Sequence, residues 1–313
     1  MMLYYFTFAL LLIYCYFAGT EFGFGIWQLV AARNREVRAL VLEQLSPLYE
    51  LTNTFFAVFA ITLVAVYPKA PLIYGTVLLV PVSLGVLFVG LRSFCLLYLH
   101  YRNADSKVAS WLLALSAIAA PFFLATFYAV SIKNTIVIDG THVIYSLRDV
   151  LFNPLTIWIA AILISHNVYF ATLKLAAKTK KEIFSTSAGM FAAVAELIVL
   201  FAVYTNSGVQ FVQNITNNSL LILFVLYLLT FPLVMFFLRK HKFSYLWLMH
   251  VVQLAMLYAL YIAGNYPYIL NPFITVYDTT NPATYHALLY GTAGGLVILV
   301  PALLYLAKFL KQK

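Results

Sequence analysis

Apolar runs of about twenty residues recur along nearly the whole chain, and each is long enough to cross a lipid bilayer as a helix. No other feature constrains the fold as much, because lipid offers no partners for backbone amides and carbonyls and a spanning segment must satisfy its own. Closed β-barrels also do this, but their strands alternate lipid-facing and lumen-facing residues, whereas these runs are continuously apolar. Only 9% of the 313 residues are charged and the mean hydropathy is +0.93, against ~25% charged in a soluble domain. The sequence therefore predicts an all-α integral membrane protein.

Nine transmembrane helices are expected, at roughly 3–31, 47–67, 71–100, 108–131, 150–176, 185–206, 217–238, 243–264 and 285–308. They divide as a first four-helix bundle within 1–131, a second within 150–264, and one extra helix at 285–308. Nothing ahead of the first run resembles a positive leader with a cleavage site, so that helix is expected to be retained. Lys and Arg are distributed unevenly over the connectors. Fifteen of the 19 fall in the odd-numbered ones and the C-terminus (Arg33, Arg35, Arg38; Arg102, Lys107; Lys174, Lys178, Lys180, Lys181; Arg239, Lys240, Lys242; Lys308, Lys311, Lys313). The even-numbered connectors hold only Lys69, Lys133 and Arg148, and Arg92 stands inside a span. Positive charge is kept on the cytoplasmic side, so the N-terminus is expected outside and the C-terminus in the cytoplasm. The net charge of +9 thus reports orientation in the cell membrane, not affinity for nucleic acid.

The outside connectors carry turn chemistry such as Tyr67-Pro68, Asp139-Gly140 and Asn281-Pro282. Two sequons, at Asn214 and Asn217, lie in the sixth connector. Cys15 and Cys95 both fall within apolar spans and read as neither a disulfide nor a metal pair.

Ionisable groups at membrane depth are costly and are functional candidates by default. Glu21, Glu50, Arg92 and Glu196 are the four here. Spans one, two and three place Glu21, Glu50 and Arg92 at similar depth in the cytoplasmic half. One reading is a proton-conducting group of carboxylates balanced by Arg92; the other is a structural ion pair of Arg92 with one glutamate. Glu50, on the expected first turn of span two, also suits a helix N-terminus. Glu196 suits a packing contact or a proton relay equally. Gly19 and Gly23, four residues apart, open one face of span one to a neighbouring helix. His166 and His250 lie at membrane depth, yet no local spacing pairs them as haem ligands. The 23 Tyr and 26 Phe residues are too abundant to mark a site. No phosphate loop, dinucleotide fingerprint or zinc motif stands in a suitable context.

The segments GTEFGFG (19–25), SPLYELTN (46–53), LFNPLTIW (151–158) and the C-terminal block from Tyr266 to Tyr305, YPYILNPFITVYDTTNPATYHALLYGTAGGLVILVPALLY, together resemble subunit II of cytochrome bd-type quinol oxidases. The resemblance implies two helical bundles with nine helices, paired in the cytoplasmic membrane with a related subunit I. That partner would carry two haems b, haem d and the quinol site, and this chain no haem. It implies quinol oxidation, reduction of dioxygen to water, and proton uptake from the cytoplasm. Glu21 and Glu50 fall on the family's acidic positions in the first two helices, commonly aspartate, which form part of the proton route. Leu48, Tyr49 and Leu51 replace the usual histidine, tryptophan and glycine around the second acid, and the acid normally downstream of Arg92 is missing from SFCLLYLHYR, so the chain is a divergent member. A small accessory subunit and a structural quinone or lipid accompany some relatives, with no residue here to assign to them. Two other classes remain open on the residues alone: a stand-alone secondary transporter with intramembrane carboxylates, its first helix broken at FAGTEFGFG, and a scaffold that only stabilises a partner.

Overall fold

The structure is a computed structural model describing residues 2–31, 35–102, 105–133, 136–139, 142–179, 209–216 and 218–279, with scattered positions in 191–201 and 286–301. Among these residues the protein is built of helices with two short hairpins. The helices are α1 (Met2–Ala31), α2 (Arg35–Val66), α3 (Ala70–Val77), α4 (Leu79–Tyr101), α5 (Lys107–Ile132), α6 (Leu147–Leu151), α7 (Pro154–Thr179), α8 (Val209–Thr216), α9 (Asn218–Arg239) and α10 (Ser244–Asn265). Among the described residues six stretches are long and apolar enough to span a membrane: Tyr4–Leu29, Leu79–Tyr101, Lys107–Ile132, Leu147–Thr179, Ser219–Arg239 and Ser244–Asn265. The protein is a multi-pass membrane protein. The expected spans 185–206 and 285–308 lie largely outside the described residues.

Two expected spans take a different form. The second begins at Arg35, twelve residues before 47, and only Thr52–Val66 is its apolar part. Hydropathy marks where a helix enters lipid, not where it starts. The charged first turns of α2 stay helical because Val41, Leu42 and Leu45 are buried against α1, α4, α5 and α7. The third span is two helices, α3 and α4, with Leu78 between them at φ −98° and ψ 5°. Pro81 stands in the first turn of α4 and has no N–H to return to Val77, so the hydrogen-bond ladder is interrupted there.

α1 is the central element. It packs along α2, α5 and α7, while α4 lies on α5 and α9 on α10. Ser106 opens α5 by accepting the Ala109 N–H at 3.3 Å, the side-chain cap expected at a helix start. The hairpins pair Ile136–Asp139 with His142–Tyr145 (β1–β2) and Tyr268–Leu270 with Ile274–Thr275 (β3–β4). Ile269, Leu270, Ile274 and Val276 join the apolar core formed by α1, α2, α3 and α5.

Two ion pairs tie connectors together at opposite ends of the bundle. Arg38 meets Asp105 at 3.3 Å, joining the start of α2 to the α4–α5 connector. Lys69 meets Asp278 at 2.5 Å, joining the α2–α3 connector to the segment after β4. Asp278 also accepts the backbone N–H and hydroxyl of Thr275, at 2.9 and 2.8 Å. These donors, with Lys69 foremost, hold its carboxyl down at about 2. The Asn214 side chain donates to the carbonyls of Gly264 and Tyr266 at 3.0 and 2.8 Å. It thereby satisfies free carbonyls at the end of α10, so the amide of the first sequon is already engaged in the fold.

Candidate proton-transfer site

Helix α1 meets different neighbours on different faces, and its glycines decide which. A Cβ at Gly23 would fall on the backbone carbonyl of Asn167 and 2.7 Å from the Ala171 Cβ. At Gly19 it would come within 3.0 Å of Asn167 Oδ1, so this pair of glycines admits α7 to near backbone contact. Gly25 does the same for α5, where a Cβ would lie 2.8 Å from the Ala117 Cβ. Close approach of this kind, made by small residues, is how membrane helices gain packing without a solvent-driven force.

Glu21, between these glycines, meets α4. Its Oε1 lies 2.9 Å from Arg92 Nη2, and both side chains are fully buried. The Arg92 guanidinium also stands 4.2 Å over the Phe22 ring, a cation–π contact on the same helix as its counter-ion. Thr52 of α2, itself buried, lies within hydrogen-bonding reach of the Glu21 carboxylate. Three helices thus converge on one carboxylate.

Thr52 also lines a cavity of about 140 Å³, together with Tyr14, Asn53, Phe56, Val86, Val89 and Leu124. It has room for a few waters, and Thr52 and Asn53 supply polar partners for them. The arrangement is a compensated buried charge joined to hydratable space through Thr52. A carboxylate so placed can accept a proton and give it up again; a guanidinium, always protonated, can only balance charge.

Of the four residues expected from sequence, the structure brings Glu21 and Arg92 together. Glu50 lies in α2 two residues from Thr52, so its backbone is within about 3 Å of that depth along the helix. Because α2 starts at Arg35, Glu50 is four turns into the helix, and the idea that it serves a helix N-terminus is corrected. Glu196 lies outside the described residues. Thr52 and Asn53 were not singled out by sequence, although both are polar residues at the start of the apolar part of α2, Thr52–Val66, and on the same helix as Glu50.

A second polar group lies between α7 and α10. His166 and His250 are buried with ring centroids 6.4 Å apart and planes tilted 48°. Phe170 stacks on His250, and Tyr169, Tyr227 and Phe231 surround His166. Both histidines line a cavity of about 70 Å³ together with Asn167, Phe170 and Tyr258. Nearby, Cys15 Sγ lies 2.5 Å from the Tyr258 hydroxyl and 3.4 Å from that of Tyr128. Among the described residues no three His, Cys, Asp or Glu side chains gather as a metal site.

Comparison with known proteins agrees with this architecture. The family described as cytochrome bd terminal oxidase subunit II matches residues 1–310. A putative cytochrome bd menaquinol oxidase subunit II from Bacillus subtilis is 29% identical over 114 residues. That stretch is 36% of this chain and spans a third (33%) of the relative's length. Among solved structures, a chain of the bd oxidase from Geobacillus thermodenitrificans superposes over 100% of both chains with a TM-score of 0.83, at 22% identity. That likeness establishes a shared fold.

Proposed function

The chain belongs to the cytochrome bd terminal oxidase subunit II family, and from that premise we propose that it is the haem-free partner of a haem-bearing subunit I in a quinol:oxygen oxidoreductase of the cytoplasmic membrane. In this reading it has two tasks: it stabilises subunit I through its helical bundles, and it conducts protons from the cytoplasm toward the oxygen-reducing site. The haems of the partner would supply electron transfer and dioxygen reduction. Quinol is the substrate of the complex, and a small accessory subunit, a structural quinone and lipids are compatible additions.

The observation that supports the proton route is the Glu21–Arg92 pair, fully buried and 2.9 Å apart. Ionised, Glu21 is stabilised by the guanidinium in surroundings that disfavour a lone charge. Burial favours the neutral acid and Arg92 favours the carboxylate, so the two influences oppose each other and Glu21 is suited to take up a proton and to release it. Thr52 can donate to the charged form or accept from the neutral one, and water in the adjoining cavity can carry the proton away. Glu50 and Glu196 are assigned to the same route as further carboxylates, Glu50 because its backbone stands at the depth of Thr52.

The test is Glu21→Gln in the purified complex, with complex yield and haem content measured alongside. The reading predicts that oxygen consumption falls more than tenfold, the scale on which a positioned acid–base group acts, while haem content is retained. Wild-type turnover in Glu21→Gln and Glu50→Gln together would refute the proton route and leave a stabilising role alone.

A further inference from the structure

Gln28 lies two turns along α1 from Glu21, about 10.5 Å nearer the end where α2 begins and within about 20° of the same face. It is fully buried, and among the described residues neither its amide oxygen nor its amide nitrogen has a hydrogen-bond partner. Buried polar atoms nearly always find partners. Around this level the packing is apolar: Phe24, Val41, Leu45, Leu99 and Leu113 are all buried. A lone amide with two unmet hydrogen-bonding atoms in such a setting calls for water.

The register of α1 on α5 shows where that water would come from. A Cβ at Gly25 would meet the Leu113 carbonyl at 3.7 Å. The two helices run antiparallel, so three residues on from Gly25 and three back from Leu113 set Gln28 level with Ser110. Ser110 is 3% exposed, and its hydroxyl accepts from Arg38 Nη2 at 3.0 Å. Arg38, in turn, reaches out to Asp105, whose side chain is 68% exposed. The Arg38 Nε is buried and also has no hydrogen-bond partner among the described residues. A polar path thus leads from bulk water, by Asp105, Arg38 and Ser110, to the depth of Gln28.

We propose that Gln28 is the inner anchor of a water-filled throat, with Arg38 and Ser110 at its mouth, through which protons pass from the cytoplasmic side to Glu21. The proposal rests on Glu21 being the proton acceptor. Each transfer exchanges a covalent O–H bond for a hydrogen bond along the waters: one proton enters at the mouth, one arrives on Glu21, and the Gln28 amide is unchanged. Gln28 is a positioning residue, orienting a water through one donated and one accepted hydrogen bond.

The test uses the purified oxidase complex with four substitutions: Gln28→Leu, similar in size without hydrogen-bonding atoms; Gln28→Met, as a second apolar variant; Gln28→Glu, which restores polar atoms; and Glu21→Gln. Oxygen-consumption turnover is measured in H2O and D2O at equal haem content. The expected result is a loss of about tenfold in Gln28→Leu or Gln28→Met, a larger solvent isotope ratio in that variant, and recovery of most turnover in Gln28→Glu. Wild-type turnover in both apolar variants, with Glu21→Gln impaired, overturns the throat and leaves the Glu21 reading intact. An equal loss in Gln28→Glu with an unchanged isotope ratio also overturns it, since that pattern marks packing. Wild-type turnover in Glu21→Gln removes the reading on which the throat depends.

Discussion

Arg92 on α4 holds Glu21 on α1 at 2.9 Å, with no exposed surface on either side chain. A buried pair of this kind adds little net stability over an apolar pair of the same volume, but breaking it by removing one partner is expensive. Arg92→Leu strands the carboxylate. The expected cost is about 3–5 kcal/mol, read as a lowered unfolding temperature of the purified complex, and Glu21→Leu in the same chain should recover part of it. Additive losses in the double variant would show that the two side chains are not coupled.

The approach of α7 to α1 depends on Gly23. Gly23→Ala places a methyl group on the Asn167 carbonyl, and backbone cannot yield as a flexible side chain would. Overpacking of this order costs about 1–3 kcal/mol. Thermal unfolding should show that loss for Gly23→Ala, whereas Gly90→Ala, where nothing lies within 4 Å of the added carbon, should unfold as the wild type does.

At the opposite end from Arg38, Asp278 clamps Lys69 and Thr275. Its carboxyl is lowered from 3.8 to about 2. A lowered folded-state value means that its stabilisation is complete above the unfolded value and is lost as pH falls from about 3.8 through about 2. The clamp should therefore contribute equally at pH 5 and pH 8. Lys69 is 61% exposed, so the pair is worth about 0.2–1 kcal/mol and should weaken with salt. Unfolding of Asp278→Asn against wild type at pH 5 and 8 checks this; a difference that grows between those values would contradict the assigned titration.

Neither cysteine is poised for surface chemistry. Cys15 packs between the hydroxyls of Tyr258 and Tyr128, and Cys95 is 1% exposed. A membrane-impermeant maleimide should leave both unlabelled in the native complex and label both after denaturation, by mass spectrometry.

How much of this was legible in the sequence differs from one feature to the next. Membrane helices announce themselves because lipid forces uniform apolarity on whole turns, so α1, α5, α9 and α10 fall within about two residues of expectation. Helix starts outside lipid leave no such trace. Residues 35–46 carry charges that suit a connector as well as a helix, and α2 continues through them because Val41 and Leu45 find a core. At the site, the charge of Glu21 and Arg92 betrayed them individually, and the depth of their spans placed them together. Thr52, Asn53 and Gln28 are uncharged residues of common types. What distinguishes them is which neighbour they face, and only tertiary packing determines that.

Whether Glu21 carries protons into the complex can be read from proton uptake itself. The oxidase is reconstituted in liposomes with a pH indicator on its cytoplasmic face, and proton disappearance is followed as quinol drives turnover. Uptake should be slow in Glu21→Gln, in step with slowed oxygen consumption, and should recover substantially in Glu21→Asp. Uptake at the wild-type rate in Glu21→Gln, with an intact complex, would contradict that role.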